Sequence, residues 1–188
     1  MIRLAERWLK WRGWQFIGQM PDLEKFVIIG APHTSNWDFV LFLGAIGHWK
    51  ITPAFVGKHT LFRWPFGSFF RRLGGIPVDR DRPGGMVRQV AEEFERSDRL
   101  ILVVAPEGTR KAAPYWKSGF ARIAAAARVP IVPVYVDYPG KRLVVGEPIS
   151  YDGNERALMD RLRIFFEAGV GKDGKGKGPV RLKEEHSV

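Results

Sequence analysis

Apolar positions in this chain fall into short runs, each closed by glycine, proline or a cluster of charges. The runs at 25–30, 100–104 and 131–136 are dominated by large apolar residues without polar alternation, the mark of strands buried on both faces. A run at 52–56 predicts another strand. Ile76-Pro77-Val78 predicts a short one, and because Pro77 has no N–H to give to a ladder, it should sit at a sheet edge or a strand start. Positions 142–145 follow the Pro139-Gly140 turn and read as a hairpin partner for 131–136.

Between these runs the period lengthens to that of a helix. Ser35 can cap a helix reaching about position 47, and Ser35-x-x-Asp38 resembles a capping box. After the Pro83-Gly84-Gly85 break, Met86, Val87, Val90 and Phe94 fall on one side of a second helix. Positions 118–128 form a small-residue helix able to pack closely on a sheet, and 157–168 a closing one. At the start, Leu4, Trp8 and Trp11 recur at i, i+4 and i+7, with Ala5, Trp14 and Ile17 nearby and Arg3, Glu6, Arg7, Lys10 and Arg12 on the rest of the surface. That pattern predicts an amphipathic helix over 1–17, basic on one face and tryptophan-rich on the other, as an interfacial helix is. From Gly169 the chain turns to glycine and lysine, so 169–188 is expected to be a mobile tail, leaving 18–168 as a single domain.

Strands alternating with helices make the expected fold α/β: a mixed, largely parallel sheet flanked by helices, preceded by the amphipathic helix. In such sheets ligands bind outside the carboxyl ends of the strands. His33 and Asp38 follow the first strand, Asp79-Arg80 the third and Glu107-Gly108-Thr109-Arg110 the fourth. If those strands run parallel, the three polar clusters open on one edge.

Charge narrows the partners. The 188 residues carry a net charge of +10, which calls for an anionic partner: nucleic acid, phospholipid headgroups or a phosphorylated substrate. Seven tryptophans and thirteen phenylalanines cluster beside apolar runs rather than interleaving with basic residues along a groove, so a membrane surface is favoured over nucleic acid. A second such cluster lies at 61–73, where Phe62, Trp64, Phe66, Phe69 and Phe70 share the stretch with Arg63, Arg71 and Arg72. No apolar run approaches the roughly 18–20 residues of a membrane span, so peripheral attachment is expected. The absence of cysteine excludes disulfides, thiolate zinc sites and a cysteine nucleophile.

The candidate chemistry centres on His33 and Asp38, five positions apart. A carboxylate that accepts from one imidazole nitrogen fixes the tautomer and leaves the other nitrogen to take a proton. The same residues could instead satisfy a loop carbonyl and cap a helix, and both roles of Asp38 could coexist, one oxygen on His33 and the other on an amide. Arg80 and Arg110 can each hold phosphate through paired hydrogen bonds, or pair with Asp79 and Glu107. Gly108 permits positive φ or close approach of backbone to an anion, and Lys58 and Lys117 are further cations. There is no Gly-x-Ser-x-Gly elbow, Walker loop or metal-ligand spacing. A base without a protein nucleophile implies that the substrate supplies a hydroxyl.

Four ordered blocks then carry a family resemblance: His33-x4-Asp38, Gly75-Ile76-Pro77-Val78-Asp79-Arg80, Pro106-Glu107-Gly108-Thr109-Arg110 and Val129-Pro130-Ile131-Val132-Pro133-Val134. Together they resemble the glycerolipid acyltransferases, which include the bacterial 1-acyl-glycerol-3-phosphate acyltransferases. The resemblance implies transfer of an acyl group from acyl-CoA or acyl-carrier protein, as co-substrate and without a bound cofactor, to a hydroxyl of a lysolipid acceptor. It implies His33 as general base, Asp38 as its partner, and Arg80, Glu107, Gly108, Thr109 and Arg110 at the acceptor. It also implies a ternary complex with no acyl-enzyme, and work at an anionic membrane surface on the cytoplasmic face. Ala105 and Pro77 stand where members often carry aromatics, which leaves the acceptor open between lysophosphatidic acid and another headgroup. Hydrolysis of an acyl thioester or lipid, and a basic nucleic-acid-binding module, are the competing readings.

Overall fold

The computed structural model describes residues 2–65, 67–72, 74–79, 85–109, 113–172 and 178–186. The apolar runs become strands β2 (Lys25–Ala31), β3 (Pro53–Lys58), β4 (Gly75–Val78), β5 (Leu100–Val104), β6 (Ile131–Asp137) and β7 (Arg142–Val145). With a short first strand, β1 (Gln15–Ile17), they pair into one seven-stranded sheet of order β1-β7-β6-β2-β5-β3-β4. Every pairing is parallel except the β6–β7 hairpin, so the sheet is mixed and largely parallel, as expected. Pro77 lies in β4, the edge strand, where its missing N–H costs no ladder bond.

Both faces of the sheet are covered, which explains runs without alternation. On one face Val27, Ile29 and Leu102 pack under α4 (Gly85–Arg96), α5 (Gly119–Ala127) and α6 (Glu155–Phe166). On the other, Phe26, Ile28, Ile101 and Val132 pack under α1 (Ile2–Trp11) and α2 (Asp38–Trp49). The remaining helix, α3 (Gly67–Arg72), precedes β4. Helix α1 comes close enough to α2 that a Cβ on Gly44 would lie 2.3 Å from Leu9 Cδ1, so a larger residue there would force the buried Leu9 side chain to shift.

Two expectations are corrected. The first helix does not run to position 17. Gly13 takes φ +83°, its N–H bonds Lys10 O at 3.0 Å, and the Trp14 N–H bonds Leu9 O at 2.9 Å. This paired closure is a Schellman motif, which stops the helix at Trp11 and frees Gln15–Ile17 to pair with β7. The described residues after Gly169, 170–172 and 178–186, are also not a free tail. Val170 bridges Asp137, Leu182 bridges Trp116 and is fully buried, and Arg163 pairs with Glu185 at 2.9 Å. Local composition favours disorder there, but Leu182 and Val180 bury against the α6 side of the core.

Candidate active site

Strands β2, β5, β3 and β4 run parallel, so their carboxyl ends share one edge. The loop after β2 carries His33 and leads straight into α2, whose first residue is Asp38. His33 Nδ1 lies 2.9 Å from Asp38 Oδ2. The same oxygen accepts from the amides of Thr34 at 2.8 Å and Ser35 at 2.9 Å. The other oxygen, Oδ1, accepts from the hydroxyl of Tyr138. The division of labour therefore differs from the sequence expectation: histidine and amides share one oxygen, and a distant tyrosine takes the other. Only the return half of a capping box forms, because Ser35 Oγ accepts from the Trp37 amide at 3.2 Å rather than capping Asp38.

Burial by itself would raise the Asp38 pKa, but the bonds from His33, Tyr138, Ser35 and Thr34 prevail and hold it below the usual carboxylate value. Asp38 thus stays ionised and can accept a hydrogen bond from His33 Nδ1–H. Nε2 then carries the lone pair.

Because β2 and β5 pair with Ile29 opposite Val104, the loops that follow them emerge side by side. Glu107, from the loop after β5, is 4% exposed, and its Oε2 accepts from the His33 backbone N–H at 2.7 Å. Its carboxyl is therefore turned inward and holds the main chain of His33. Desolvation pushes its pKa up to about 7, with the nearby Asp38 charge adding to the rise and the His33 amide opposing it. Gly108 has φ +65°, which favours glycine, and a Cβ there would lie 2.8 Å from Lys117 Nζ, so a larger residue would also push the Lys117 side chain aside. The Lys117 ammonium therefore folds over this loop beside exposed Thr109. Asp79, at the end of β4, is clamped by Gln89, which donates to its carbonyl at 3.0 Å and accepts from its amide at 3.1 Å. Arg80 and Arg110 lie outside the described residues, as does the side chain of Lys58, whose backbone ends β3.

Beside the His33–Asp38 pair opens a cavity of about 400 Å³ on the α2 side of the sheet. Gly30, Phe39, Phe42, Ile46, Trp49 and Val134 line it, together with His33 and Asp38. Its walls are almost wholly apolar. No sequence motif marked this cavity or Tyr138. The cavity is assembled from β2, α2, β5 and β6, and Tyr138 stands 100 residues from Asp38. Buried Asp137 pairs with the more exposed Arg142 at 2.6 Å and closes the turn that presents Tyr138, and the Tyr138 amide is tied to Val170 O at 2.9 Å.

The class that fold and site define is an α/β sheet protein with an imidazole–carboxylate pair at the mouth of an apolar cavity. Residues 16–137 match the Acyltransferase family, and the chain belongs to it. Over 118 residues it is 32% identical to the 1-acyl-sn-glycerol-3-phosphate acyltransferase of Streptococcus pneumoniae, covering 62% of this chain and 43% of that protein. It is 29% identical over 155 residues to the enzyme of that name from Bacillus subtilis, covering 75% of this chain and 76% of the relative. The chain thus spans less than half the length of the pneumococcal relative. The crystal structure of the 1-acyl-sn-glycerophosphate (LPA) acyltransferase from Thermotoga maritima shares the fold, with a TM-score of 0.62 at 21% identity over 88% of this chain and 75% of that one.

Proposed function

We propose that the chain transfers a fatty acyl group from acyl-CoA or acyl-carrier protein to a hydroxyl of a lysophospholipid or related acceptor. The observation that carries this reading is the His33–Asp38 bond at the mouth of an apolar cavity. The acyl chain lies in the cavity, with its thioester carbonyl at His33. Nε2 takes the proton of the acceptor hydroxyl as its oxygen attacks the carbonyl carbon. The tetrahedral intermediate collapses with cleavage of the C–S bond, and the thiolate leaves with the proton that His33 returns. Asp38 stabilises the imidazolium formed in between. No acyl-enzyme forms, and Arg80, Arg110, Lys58, Gly108 and Thr109 receive the acceptor's anionic group, with Lys117 beside them.

The protein works at the cytoplasmic surface of a membrane, attached peripherally. Trp11 is 77% exposed and Leu4 68%, and Trp8 stacks on Trp37, which extends this surface to exposed Phe39 at the start of α2. Trp64, 93% exposed beside Arg63, offers a second contact. No helix among the described residues is long and apolar enough to cross a membrane.

The test is incubation with labelled acyl-CoA or acyl-carrier protein and a panel of lysolipids, the product being identified by mass. A diacyl product that disappears in His33→Ala, with turnover falling about 10²–10⁴-fold and the melting curve kept, is expected. Free fatty acid alone, whether or not a lysolipid is present, would make the chain a hydrolase. Unchanged turnover in His33→Ala would remove the base.

A further inference from the structure

Tyr138, whose hydroxyl bonds Asp38, also lines a second pocket, of about 340 Å³. Three elements distant in sequence each send one cation to it: Arg12 from the end of α1, Lys141 from the β6–β7 turn and Lys172 from the segment after α6. Among the described residues none of the three is in an ion pair. The Lys141 ammonium is held by the Arg12 carbonyl at 3.0 Å, Lys172 stands 5.5 Å over the Trp37 ring, and Arg12 stands 5.7 Å over Trp8. Aromatic faces and a carbonyl orient these groups without neutralising them. Gathering like charges around one concavity raises its positive potential, which a bound anion relieves.

The rim indicates what that anion is attached to. Trp8 and Trp37 form one stacked wall and are 41% and 49% exposed, continuous with exposed Leu4, Trp11 and Phe39. A free inorganic anion would gain nothing from this surface. A molecule with an anionic head and apolar tails would use both parts. We infer that the pocket of Arg12, Lys141 and Lys172 binds the phosphate headgroup of an anionic glycerophospholipid, with its chains over Trp8 and Trp37.

This site is distinct from the acceptor site. It is lined from α1, α2, the β6–β7 turn and the segment after α6, and shares no residue with the loop after β5 that carries Gly108 and Thr109. Its occupant touches the ring of Tyr138, whose hydroxyl holds Asp38, so an anionic lipid of the membrane is bound one side chain from the dyad. The inference does not depend on which reaction the dyad performs.

Binding to the full chain tests it, with tryptophan fluorescence and titration calorimetry as readouts. The probes are dihexanoyl phosphatidylglycerol, dihexanoyl phosphatidylcholine and inorganic phosphate, all below micelle concentration. Phosphatidylglycerol should bind at least about tenfold more tightly than the other two. The double variant Arg12→Gln/Lys172→Gln should lose about 10- to 100-fold of that affinity, as for two charge-assisted bonds. Arg99→Gln/Arg122→Gln, which removes two exposed cations on other elements, should bind as the wild type does. Lys172→Glu alone, whose backbone bond to Thr34 at 3.0 Å is unaffected, should show the loss even if the double variant misfolds. Equal affinity for inorganic phosphate and phosphatidylglycerol overturns the lipid assignment. Equal losses in pocket and control variants reduce the effect to net charge and overturn the site.

Discussion

The hydroxyl of Tyr138 donates to Asp38 Oδ1 and leaves Oδ2 to His33. Its ring stands edge-on to Trp14, with centroids 5.3 Å apart, just beyond the turn that ends α1. Tyr138 is thus a positioning residue: it touches the carboxylate and not the reacting atoms.

Tyr138→Phe keeps the ring and its packing and removes one donor from a charged acceptor, a bond of about 1.5–3 kcal/mol. Only the part that orients the imidazole in the transition state affects turnover. The expected result is a fall in kcat of about 5- to 30-fold with KM for the acyl donor unchanged. Asp38→Asn should cost about 10³-fold, because the imidazolium then has no anion beside it. A Tyr138→Phe enzyme that loses KM and melting temperature together, at constant kcat, would show that the tyrosine serves folding only.

Glu107 makes stability depend on pH with a definite sign. Its folded pKa is about 7 against 4.5 for the free side chain, so between those values the folded state keeps a proton that the unfolded state has lost. Stability therefore falls as pH rises through this window, by about 3 kcal/mol for a carboxyl as buried as this one. Glu107→Gln can still accept from the His33 amide and cannot ionise. Its melting temperature should drop less than that of the wild type between pH 5 and pH 8, the difference being roughly 6–12 °C. Parallel curves for the two proteins would contradict the raised pKa.

Gly30 is in β2, yet a Cβ placed on it meets no heavy atom within 4 Å, because it faces the apolar cavity. Gly30→Val should therefore leave the fold as stable as before or more so, by up to about 1 kcal/mol, since valine suits a strand and glycine does not. The added branch occupies the cavity three residues before His33. KM for long-chain donors should rise several-fold, with preference moving to shorter chains. A stable Gly30→Val protein with unaltered chain-length preference would place the acyl chain elsewhere.

Strands β2, β5 and β6 were legible because a strand buried on both faces is apolar throughout, whatever lies beside it. The His33–Asp38 pair was legible because both residues sit within one loop and the first turn of one helix. β1 was not: three residues continuing the spacing of Leu4, Trp8 and Trp11 read as helix, although Gly13 is the residue that ends it. The packed residues of the last segment were hidden in the same way, since a glycine- and lysine-rich composition conceals the single buried Leu182.

The sequence by itself determined the α/β class, the order of the polar blocks and the pairing of His33 with Asp38, all of which depend on local period and short spacing. The tertiary structure alone decided that Tyr138 completes the Asp38 shell, that Glu107 turns inward to the His33 amide, and that β2, α2, β5 and β6 enclose a cavity. These contacts join positions 74 and 100 residues apart. They exist because parallel crossovers bring the carboxyl ends of β2, β5 and β6 side by side, and that adjacency is set by strand order rather than by any neighbouring residue.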